Sequence, residues 1–531
     1  MLLQQYLEES AKRYPTKIAV RFREESITYE QLDVWSNQVA HSLLLKGITP
    51  GSHVGLYVPK SIGAVSALFG ILKAGSAYVP LDSDAPLERV SFMVSNCQIN
   101  AIVVNDINIQ RIAKNTDLFP EQWTVVNVSE KKPELTELPL NWNLVNPVEI
   151  KKQPAHIPVV ESVDENKPAY ILYTSGSTGK PKGVILSHMN GAVFIDWAAE
   201  HINLNGDNVF SSHAPFHFDL SIFDLYVSIK TGGTLCLIPP GLSYFADAVL
   251  DFIHENKITV WYSVPSALIQ LLSYKDQLSE KLGSITTLIY AGEVFQYSML
   301  NQLRQYLPSC IIHNWYGPTE TNVITYYKID AHQTLNENVP IGAPCPYANI
   351  SIVDDHGRPV RKGEIGELVV NGKSLMKGYK SDPRKTNLSI KSLDKNKPKE
   401  LFYFTGDLAY QRPDGAIVYS NRRDNMVKTR GFRVELGEVE TALDKHPSVR
   451  KSLVLAVPDE RITNKLVSYV TLAEDEKPDE AQLIDYCSEV LPAYMIPQKI
   501  YFLEEFPLTS TGKIDRIKLQ QEQETIRVVK K

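Results

Sequence analysis

The sequence has few cysteines and no long basic or apolar run. Its 531 residues include five cysteines, which lie far apart and form no Cys-x-x-Cys pair. Such a sparse, odd set indicates reduced thiols rather than disulfides or a zinc site, and it favours a cytosolic location. The formal net charge is −6 and no long basic cluster is present, so an extended nucleic-acid-binding surface is excluded.

Signals for membrane insertion or export are also missing. The most apolar stretch, Ile62 to Leu81, is broken by Lys73 and Pro80 and is too short to span a bilayer. The segment from Met1 to Tyr14 places charged residues at helical spacing, which predicts an amphipathic helix rather than a signal peptide. We therefore expect a soluble, cytoplasmic protein whose partners include neither a membrane nor a nucleic acid.

The order of apolar segments predicts the fold class. A chain of 531 residues is too long for one core, so two or more domains are expected. The first four-fifths alternates short apolar runs with helical patterns, which predicts largely parallel sheets covered by helices. Such runs are His53–Val58 before Ile62–Leu72, Ala101–Val104, Asn208–Ser211 before Ser221–Ile229, Thr259–Tyr262 and Thr287–Tyr290.

The pattern of apolar runs and turns in the sequence changes after about Pro340. Short strands separated by glycine-containing turns predict a small antiparallel barrel or sheet, with strands at Ile350–Val353, Gly366–Val370 and Ala416–Tyr419. From Val427 onward, two helix–strand pairs predict a separate small α+β domain. These pairs are helix Glu435–His446 with strand Lys451–Val457, and helix Ala481–Leu491 with strand Lys499–Phe502.

A loop rich in small and hydroxyl residues follows the apolar run from Ala169 to Tyr173. The loop consists of Thr174, Ser175, Gly176, Ser177, Thr178, Gly179, Lys180, Pro181 and Lys182. Its backbone N–H groups and hydroxyls can hold phosphate oxygens, and lysine adds a positive charge. It is not a Walker P-loop, because only two residues separate Gly176 from Gly179 and proline follows Lys180. The same composition also suits a flexible linker, so composition alone leaves both interpretations open.

Other polar segments could complete a nucleotide site. They are Asn314–Glu320, Thr405–Asp407, the charged run Arg422, Arg423, Asp424 and Lys428, and Thr511–Arg516. The Glu320 carboxylate suits a hard cation, and Asp407 on a tight turn could accept two hydrogen bonds from ribose hydroxyls. Taken singly, a turn aspartate such as Asp407 or a tail lysine such as Lys513 is more often simply exposed.

The order of these segments resembles one family from end to end. The chain closely resembles the adenylation domains of nonribosomal peptide synthetases, members of the adenylate-forming ligase superfamily that includes acyl-CoA synthetases and luciferases. The segments that carry the resemblance are Ile27–Leu32, Leu72–Asp82, Thr174–Gly183, Phe218–Ser221, Asn314–Glu320, Gly366–Tyr379, Tyr403–Leu408, Arg422–Glu440, Leu491–Pro497 and Thr511–Arg516. Asn421 and Thr511 depart from the glycine and asparagine that the family usually has there, and Asn still tolerates a left-handed backbone.

The resemblance implies an α/β fold with two domains. Residues 1–423 would form a large core of parallel-type sheets with helices and a small barrel, which binds ATP and the amino acid. Residues 424–531 would form a small, mobile α+β domain that carries the catalytic lysine, Lys513. Asp424 would be the hinge about which this domain turns between two half-reactions.

The resemblance also implies the reaction. A carboxylate attacks the α-phosphorus of ATP and expels pyrophosphate, and the acyl group then passes to a thiol. ATP and Mg²⁺ are the implied cofactors, with Glu320 on Mg²⁺. Lys513 would bridge the substrate carboxylate and the α-phosphate, and Lys428 would belong to the face presented in the second step. Catalysis would depend mainly on positioning and electrostatics.

The implied nucleotide contacts are spread along the core. The glycine-rich loop would hold the pyrophosphate end, Tyr316 would stack on adenine and Asn314 would bind its edge. Asp407 would clasp the ribose with Arg422 nearby. The full set is Thr174, Ser175, Gly176, Ser177, Thr178, Gly179, Lys180, Lys182, Gly292, Glu293, Asn314, Tyr316, Gly317, Thr319, Asp407 and Arg422.

The implied substrate pocket favours a small apolar amino acid. Its residues are Phe218, Asp219, Leu220, Phe223, Tyr262, Ile289, Ala291, Trp315, Val323 and Ile324. By the resemblance, Asp219 occupies the family position that pairs with the substrate's α-amino group, and a buried ammonium requires such a counter-ion. The remaining pocket resembles that of freestanding proline-activating enzymes, although Trp315 replaces a smaller residue. The Phe218–Tyr226 segment also resembles D-alanine activators, which typically have cysteine in place of Ala291.

The acceptor is expected to be a separate protein. About fifteen residues follow Arg516, and the sequence contains no Gly-Gly-x-Ser-type phosphopantetheine site. We therefore expect transfer to a phosphopantetheinylated peptidyl carrier protein, with free coenzyme A as the alternative acceptor. A non-catalytic adenylate-binding protein is a different class, and the presence of Lys513, Glu320 and Asp407 argues against it.

Overall fold

The computed structural model divides into two compact units. It describes residues 1–129, 138–160, 163–176, 179–330, 333–424, 426–459, 462–473, 476, 478–507, 514–516 and 518–521. The first unit consists of Met1–Ser83, Val90–Tyr173 and Gly183–Arg423. The second unit consists of Asp84–Arg89 and the described residues of 174–182 and 424–531. Within the part of the chain that is described, every helix is too short or too polar to traverse a bilayer.

The largest sheet of the first unit has nine strands and a parallel centre. In spatial order, the strands are Ala343–Pro344, Thr325–Ile329, Ile311–Tyr316, Thr287–Ala291, Val260–Ser263, Val209–Ser212, Thr234–Leu237, Ile18–Phe22 and Glu25–Thr28. The six strands from Ile311–Tyr316 to Ile18–Phe22 run parallel. Antiparallel strands close both edges. The predicted parallel sheet is thus confirmed, and its parallel strand ends carry pocket residues.

A second sheet of the first unit has eight strands. In spatial order, they are Gly378–Tyr379, Lys182–Ser187, Pro168–Thr174, Ala77–Pro80, His53–Tyr57, Ala101–Val104, Trp123–Asn127 and Trp142–Val145. The strands from Pro168–Thr174 to Trp142–Val145 run parallel. Several of them are buried along their whole length, which explains their unbroken apolar sequences.

The third sheet of the first unit is antiparallel, as the turn-rich sequence predicts. Its spatial order is Ala348–Val353, Gly366–Gly372, Leu401–Gln411 and Ile390–Ser392, and Ile417–Arg422 also pairs with Leu401–Gln411. This last pairing sets Asp407 opposite Arg422. The sheet therefore joins two of the polar residues that the sequence singles out.

Helices cover the sheets of the first unit. They are Gln5–Arg13, Tyr29–Leu45, Ile62–Lys73, Leu87–Cys97, Asp106–Ala113, Pro147–Lys151, His188–His201, Ser228–Thr231, Ala246–Glu255, Pro265–Leu271, Lys275–Lys281, Tyr297–Arg304 and Pro383–Ser389; Leu87–Cys97 begins in the second unit. Helix Ile62–Lys73 begins at the Ser61 N-cap, whose side chain accepts from Ala64 N. All twelve of its residues are buried. Lys73 Nζ pairs there with Asp33 Oδ1 at 2.5 Å and donates to Asn37 Oδ1 at 2.7 Å.

One predicted helix is different in the structure. The sequence predicts a helical segment over Ser221–Ile229, and the structure is helical there, but Phe223–Val227 forms a π-helical turn before the short α-helix Ser228–Thr231. Ser228 Oγ bonds back to the carbonyls of Asp224 and Leu225, which competes with the regular backbone ladder. A π-turn shifts the side chains that follow it relative to a regular helix, and such turns often lie at functional sites.

The described part of the second unit is α+β, as predicted. It contains the hairpin Met426–Thr429 with Phe432–Glu435 and a sheet of Val449–Asp459, Thr463–Leu472 and Lys499–Phe502. The strand Lys499–Phe502 has the predicted bounds and runs parallel to Thr463–Leu472. Helices Leu436–Leu443 and Glu480–Val490 contribute Val439, Leu443 and Leu483 to the core.

Candidate functional site

The parallel strands of the nine-stranded sheet bring four predicted pocket residues together. Tyr262 pairs with Ile289 in register, and Ala291 pairs with Trp315. Parallel pairing places such residues side by side although they are distant in sequence. Leu220, Val323 and Ile324 are also buried in the same hydrophobic cluster.

Three aromatic rings form one wall within this group, which we call the aromatic wall: Phe223, Tyr262 and Trp315. The Trp315 ring centroid lies 5.4 Å from Phe223 and 5.5 Å from Tyr262, and the Phe223 and Tyr262 centroids are 5.3 Å apart. All three contacts are edge-on, the arrangement that ring quadrupoles favour. The wall is uncharged and rigid, so it suits a compact apolar side chain.

A carboxylate lies close to the aromatic wall. Asp219 is half-buried, and its Oδ2 accepts a hydrogen bond of 2.5 Å from Thr319 Oγ1. The pKa of Tyr262 is raised far above its ordinary value, first by burial and then by the negative charges of Asp219 and Asp224. Asp219 is thus a negative group beside the apolar wall, and such a carboxylate can serve as the counter-ion that a buried ammonium requires. The preceding Phe218 is half-buried and packs against the hydrophobic core.

A second group joins Tyr316, Asp407 and Arg422. The Tyr316 hydroxyl donates to Asp407 Oδ2 at 2.5 Å, and Arg422 Nη1 donates to Asp407 Oδ1 at 2.8 Å. All three side chains lie mostly out of solvent. Burial and Asp407 raise the pKa of Tyr316 far above its usual value, and Arg422 opposes this shift. The phenol therefore stays protonated and donates.

The turn that carries Asp407 is held by its neighbours. Gly406 adopts a positive φ of 74°, and its N–H donates to Glu367 Oε1 at 3.0 Å. Asp407 N–H donates to Thr405 Oγ1 at 3.0 Å. The predicted tight turn is present, and Glu367 is a supporting residue that the sequence patterns did not indicate.

Glu320 is fully buried and has a phenol partner. Its Oε1 accepts a hydrogen bond of 2.7 Å from the Tyr379 hydroxyl, and its carbonyl accepts from Met376 N at 2.9 Å. Sequence reasoning missed Tyr379 as a partner, since 59 positions separate the two residues. Among the described residues, no group of three His, Cys, Asp or Glu side chains could hold a metal. One carboxylate still fits Mg²⁺, because this ion is commonly held by one or two carboxylates with water and substrate phosphates.

The remaining predicted nucleotide contacts of the first unit have structural partners. Asn314 Nδ2 donates to the Pro340 carbonyl at 2.9 Å. A Cβ at Gly317 would lie 1.8 Å from the Asn322 carbonyl oxygen, so only glycine fits there. Glu293 Oε2 accepts from Ser266 N at 3.0 Å, and Gly292 beside it has a φ of 91°.

The second unit contains the glycine-rich loop and its neighbours from the carboxyl-terminal part of the chain. Ser175 Oγ donates to the Arg433 carbonyl at 2.8 Å, and Gly176 N–H donates to Glu438 Oε2 at 2.9 Å. Lys180 is exposed and Lys182 is buried. Ser177, Thr178 and the predicted catalytic Lys513 lie outside the described residues.

The predicted hinge residue, Asp424, lies just before the hairpin that begins at Met426, and the predicted second-step lysine, Lys428, lies in the first strand of this hairpin. Asp424 Oδ1 accepts from Met426 N at 3.3 Å. Lys428 is half-buried, and its carbonyl accepts from Asn464 Nδ2 at 2.8 Å. The functional roles of both residues stay predictions.

Family comparisons cover most of the chain. The model of the AMP-binding enzyme family matches residues 7–380, and that of the AMP-binding enzyme C-terminal domain matches residues 438–513. An L-proline–[L-prolyl-carrier protein] ligase of Pseudomonas fluorescens is 33% identical over 529 residues, which cover 98% of this chain and 99% of the relative. A ligase of the same name from Streptomyces coelicolor is 35% identical over 502 residues, covering 92% and 91%.

Solved structures give the same fold. The crystal structure of the Vibrio cholerae adenylation domain AlmE, in complex with glycyl-adenosine-5'-phosphate, superposes with a TM-score of 0.84 at 23% identity and covers 98% of both chains. The predicted adenylate-forming ligase fold is therefore confirmed.

Proposed function

This chain belongs to the AMP-binding enzyme family, and we propose that it is an ATP-dependent amino acid–carrier protein ligase. It activates a small apolar amino acid, L-proline first, and transfers it to the phosphopantetheine thiol of a separate carrier protein in the cytoplasm. The observation that carries this proposal is Asp219 beside the aromatic wall. The names of the relatives from Pseudomonas fluorescens and Streptomyces coelicolor support the same substrate and acceptor.

The first step forms the aminoacyl-adenylate. The amino acid's ammonium pairs with Asp219, and its carboxylate oxygen attacks the α-phosphorus of ATP. A new P–O bond forms while the bond to pyrophosphate breaks, so pyrophosphate leaves with the electron pair. Tyr316 stacks on the adenine, and Asp407, held by Arg422, accepts hydrogen bonds from the ribose. Glu320 would help to hold Mg²⁺, which would neutralise negative charge at the reacting phosphoryl group.

The second step transfers the acyl group. The carrier's thiolate attacks the adenylate carbonyl, and AMP leaves as the thioester forms. Lys513 serves the first step only, because the mobile domain of 424–531 turns about Asp424 and presents the Lys428 face for the second. Accordingly, Lys513→Ala should slow adenylate formation by about 10²–10³-fold, the cost of one lost electrostatic donor. Transfer from pre-formed adenylate should survive, and equal damage to both steps would contradict the assignment.

L-proline fits the pocket by its chemistry. Its secondary ammonium offers two N–H donors, one for Asp219, and its ring is compact and has no polar side-chain group that needs a partner. Alanine would fit but leave space unfilled, and a missing methylene in an apolar pocket costs roughly 1–3 kcal/mol. Leucine and phenylalanine should collide with Trp315.

Alanine is the second candidate, because Trp315 packs directly against Phe223 and Tyr262 and so reduces the space for a ring. ATP–pyrophosphate exchange with L-proline, L-alanine, D-alanine, L-serine and L-valine tests both candidates. We expect the highest kcat/KM for L-proline. A higher value for either alanine isomer would overturn the choice of substrate and favour the second candidate.

The acceptor is tested separately. With the preferred amino acid, a phosphopantetheinylated carrier protein should be loaded, and the same carrier without its phosphopantetheine arm should not. Free coenzyme A serves as the competing acceptor. Faster thioester formation on coenzyme A than on any carrier would overturn the carrier assignment.

A further inference from the structure

A buried carboxylate occupies a backbone donor of the glycine-rich loop. Gly176 N–H donates to Glu438 Oε2 at 2.9 Å. The other oxygen, Oε1, lies 2.5 Å from Arg89 Nη1. The Glu438 side chain is only 1% exposed, and that of Arg89 is 11% exposed. The loop amide and the guanidinium therefore hold the two oxygens of one carboxylate.

The same segment of the chain covers two neighbouring loop residues. Ser175 Oγ donates to the Arg433 carbonyl at 2.8 Å and accepts from Glu435 N at 3.2 Å. Gly179 has a φ of 76°, and a Cβ there would lie 2.6 Å from Thr441 Cγ2. The stretch from Arg433 to Thr441 is thus fitted to the loop at Ser175, Gly176 and Gly179.

A carboxylate and a phosphate compete for such a donor. Backbone N–H groups in a glycine-rich loop bind anions. Carboxylate oxygens and phosphate oxygens both accept hydrogen bonds from such groups. A single N–H that is already bonded at 2.9 Å to Glu438 does not make an equally good bond to a second oxygen. Because Arg89 balances the charge of Glu438, the carboxylate is stable in this place without a nucleotide.

We propose that Glu438, held by Arg89, is an internal competitor of the pyrophosphate end of the nucleotide for the glycine-rich loop. The proposal rests on the proposed function, in which this loop holds that end of ATP. When the phosphates bind, they displace Glu438 from Gly176. When Glu438 returns to Gly176, it weakens the binding of pyrophosphate. Glu438 and Arg89 are therefore positioning residues that act through Gly176.

A purely structural role for Glu438 makes a different prediction. If the carboxylate only docks one segment on another, its loss lowers stability and leaves anion affinity unchanged or weaker. If it competes, its loss strengthens binding of pyrophosphate and leaves binding of AMP, which lacks those phosphates, unchanged. The difference between the two ligands separates the roles.

The chain offers a matched control on the same helix. Glu440 also pairs with an arginine, since its Oε1 lies 2.6 Å from Arg516 Nη2, and it accepts from Val454 N at 2.9 Å. Glu440→Gln therefore removes a similar charge from the same helix. Its partners are Arg516 and Val454 rather than the loop donor at Gly176.

The experiment measures binding of inorganic pyrophosphate and of AMP by calorimetry on the full chain with Mg²⁺. We expect Glu438→Gln to bind pyrophosphate about 5- to 150-fold more tightly than wild type, the usual range of coupling between two binding events. AMP affinity should change less than about twofold, and Glu440→Gln should match wild type for both ligands. Glu438→Asp keeps the charge, but its shorter side chain withdraws the carboxylate from Gly176. This variant should therefore also bind pyrophosphate more tightly than wild type.

Unchanged or weaker pyrophosphate binding in both Glu438 variants, with melting temperatures near wild type, would overturn the proposal. Equal tightening in Glu440→Gln would overturn it as well, since the effect would then be one of net charge. This assay needs no amino acid. Failure of the proposed function would appear instead in the exchange assay, where no amino acid would support ATP–pyrophosphate exchange by the wild-type enzyme.

Discussion

The phenol of Tyr316 donates a hydrogen bond of 2.5 Å to Asp407, 91 positions further along the chain. Tyr316 ends a strand of the nine-stranded sheet, and Asp407 lies in the antiparallel sheet. The bond leaves Asp407 with one oxygen on Tyr316 and the other on Arg422. The proposed ribose acceptor is therefore oriented before any nucleotide arrives, which reduces the ordering cost of binding.

Asp407→Asn tests this acceptor. The amide keeps the shape of the side chain but loses the charge that strengthens hydrogen bonds from ribose hydroxyls and from Arg422. Such bonds to a charged group contribute about 1.5–3 kcal/mol each, so KM for ATP in the exchange assay should rise about 10- to 150-fold. Tyr316→Phe, which keeps the ring and the Arg422 pair, should raise it much less. An Asp407→Asn enzyme with the wild-type KM would contradict the role.

Asp219→Asn tests recognition of the ammonium. Without the charge, the substrate's ammonium enters the site unpaired, at a cost of about 3–5 kcal/mol by analogy with broken buried ion pairs. Amino-acid-dependent exchange should fall by about 10²–10³-fold or more, while ATP affinity measured by calorimetry stays at the wild-type value. Thr319→Val removes only the hydroxyl that bonds Asp219 and should have a milder effect. Full activity of Asp219→Asn would mean that the substrate is not an α-amino acid.

Lys60 interacts electrostatically with Asp224, a buried residue of the π-helical turn. Lys60 Nζ donates to the carbonyls of Ser212 and His213 at 2.5 and 2.8 Å. Burial lowers the pKa of Lys60 to about 7 against the opposing effect of Asp224, and burial raises the pKa of Asp224 well above its usual value. Asp224 itself is 1% exposed.

Removing one member of this pair should destabilise the fold more than removing both. Asp224→Leu removes the negative charge that favours the ammonium form of Lys60, so the free energy of unfolding in urea should fall, by at most about 3–5 kcal/mol. The double variant Lys60→Met with Asp224→Leu should recover most of this loss, because well-packed apolar residues often replace a buried pair without cost. A double variant that loses the sum of the two single losses would show that the groups are not coupled.

We expect the folded protein to lose stability in mild acid because of the buried His188. Its Nδ1 accepts from Leu3 N at 3.1 Å, which requires the neutral ring. Burial first, and then the amino-terminal ammonium, lower the pKa of His188 to about 4, against the effect of Asp164. Since the unfolded chain binds the proton near pH 6.5, this stability is complete above about pH 6.5 and is lost as the pH falls towards about 4.

Urea unfolding between pH 7.5 and 4.5 measures this dependence. Each such histidine contributes a slope of up to about 1.4 kcal/mol per pH unit within the window. His188→Gln keeps an acceptor but cannot titrate, so its slope should be shallower than that of wild type. The slope should not vanish, because burial also lowers the pKa of His213 to about 3 and that of His313 to about 4. Identical slopes for the two proteins would contradict the prediction.

Local patterns in the sequence predicted the elements whose physics is local. The strands Ala101–Val104 and Lys499–Phe502 have the predicted bounds, because a short β-rich run between breakers specifies its own ends. Helix Ile62–Lys73 extends the prediction by one residue to Lys73, which the apolar pattern had counted as a break. The helical pattern over Ser221–Ile229 did not reveal the π-turn within it, because a π-turn leaves no mark on hydrophobic periodicity.

The sequence by itself determined the family, the fold class and the identities of the polar groups, since ordered segments and apolar periodicity can be read without coordinates. Only the tertiary structure decided which partner each group has. Glu320 with Tyr379, Tyr316 with Asp407 and Gly176 with Glu438 are 59, 91 and 262 positions apart. Such contacts depend on how sheets and loops pack at long range, and the preferences of neighbouring residues contain no record of that packing.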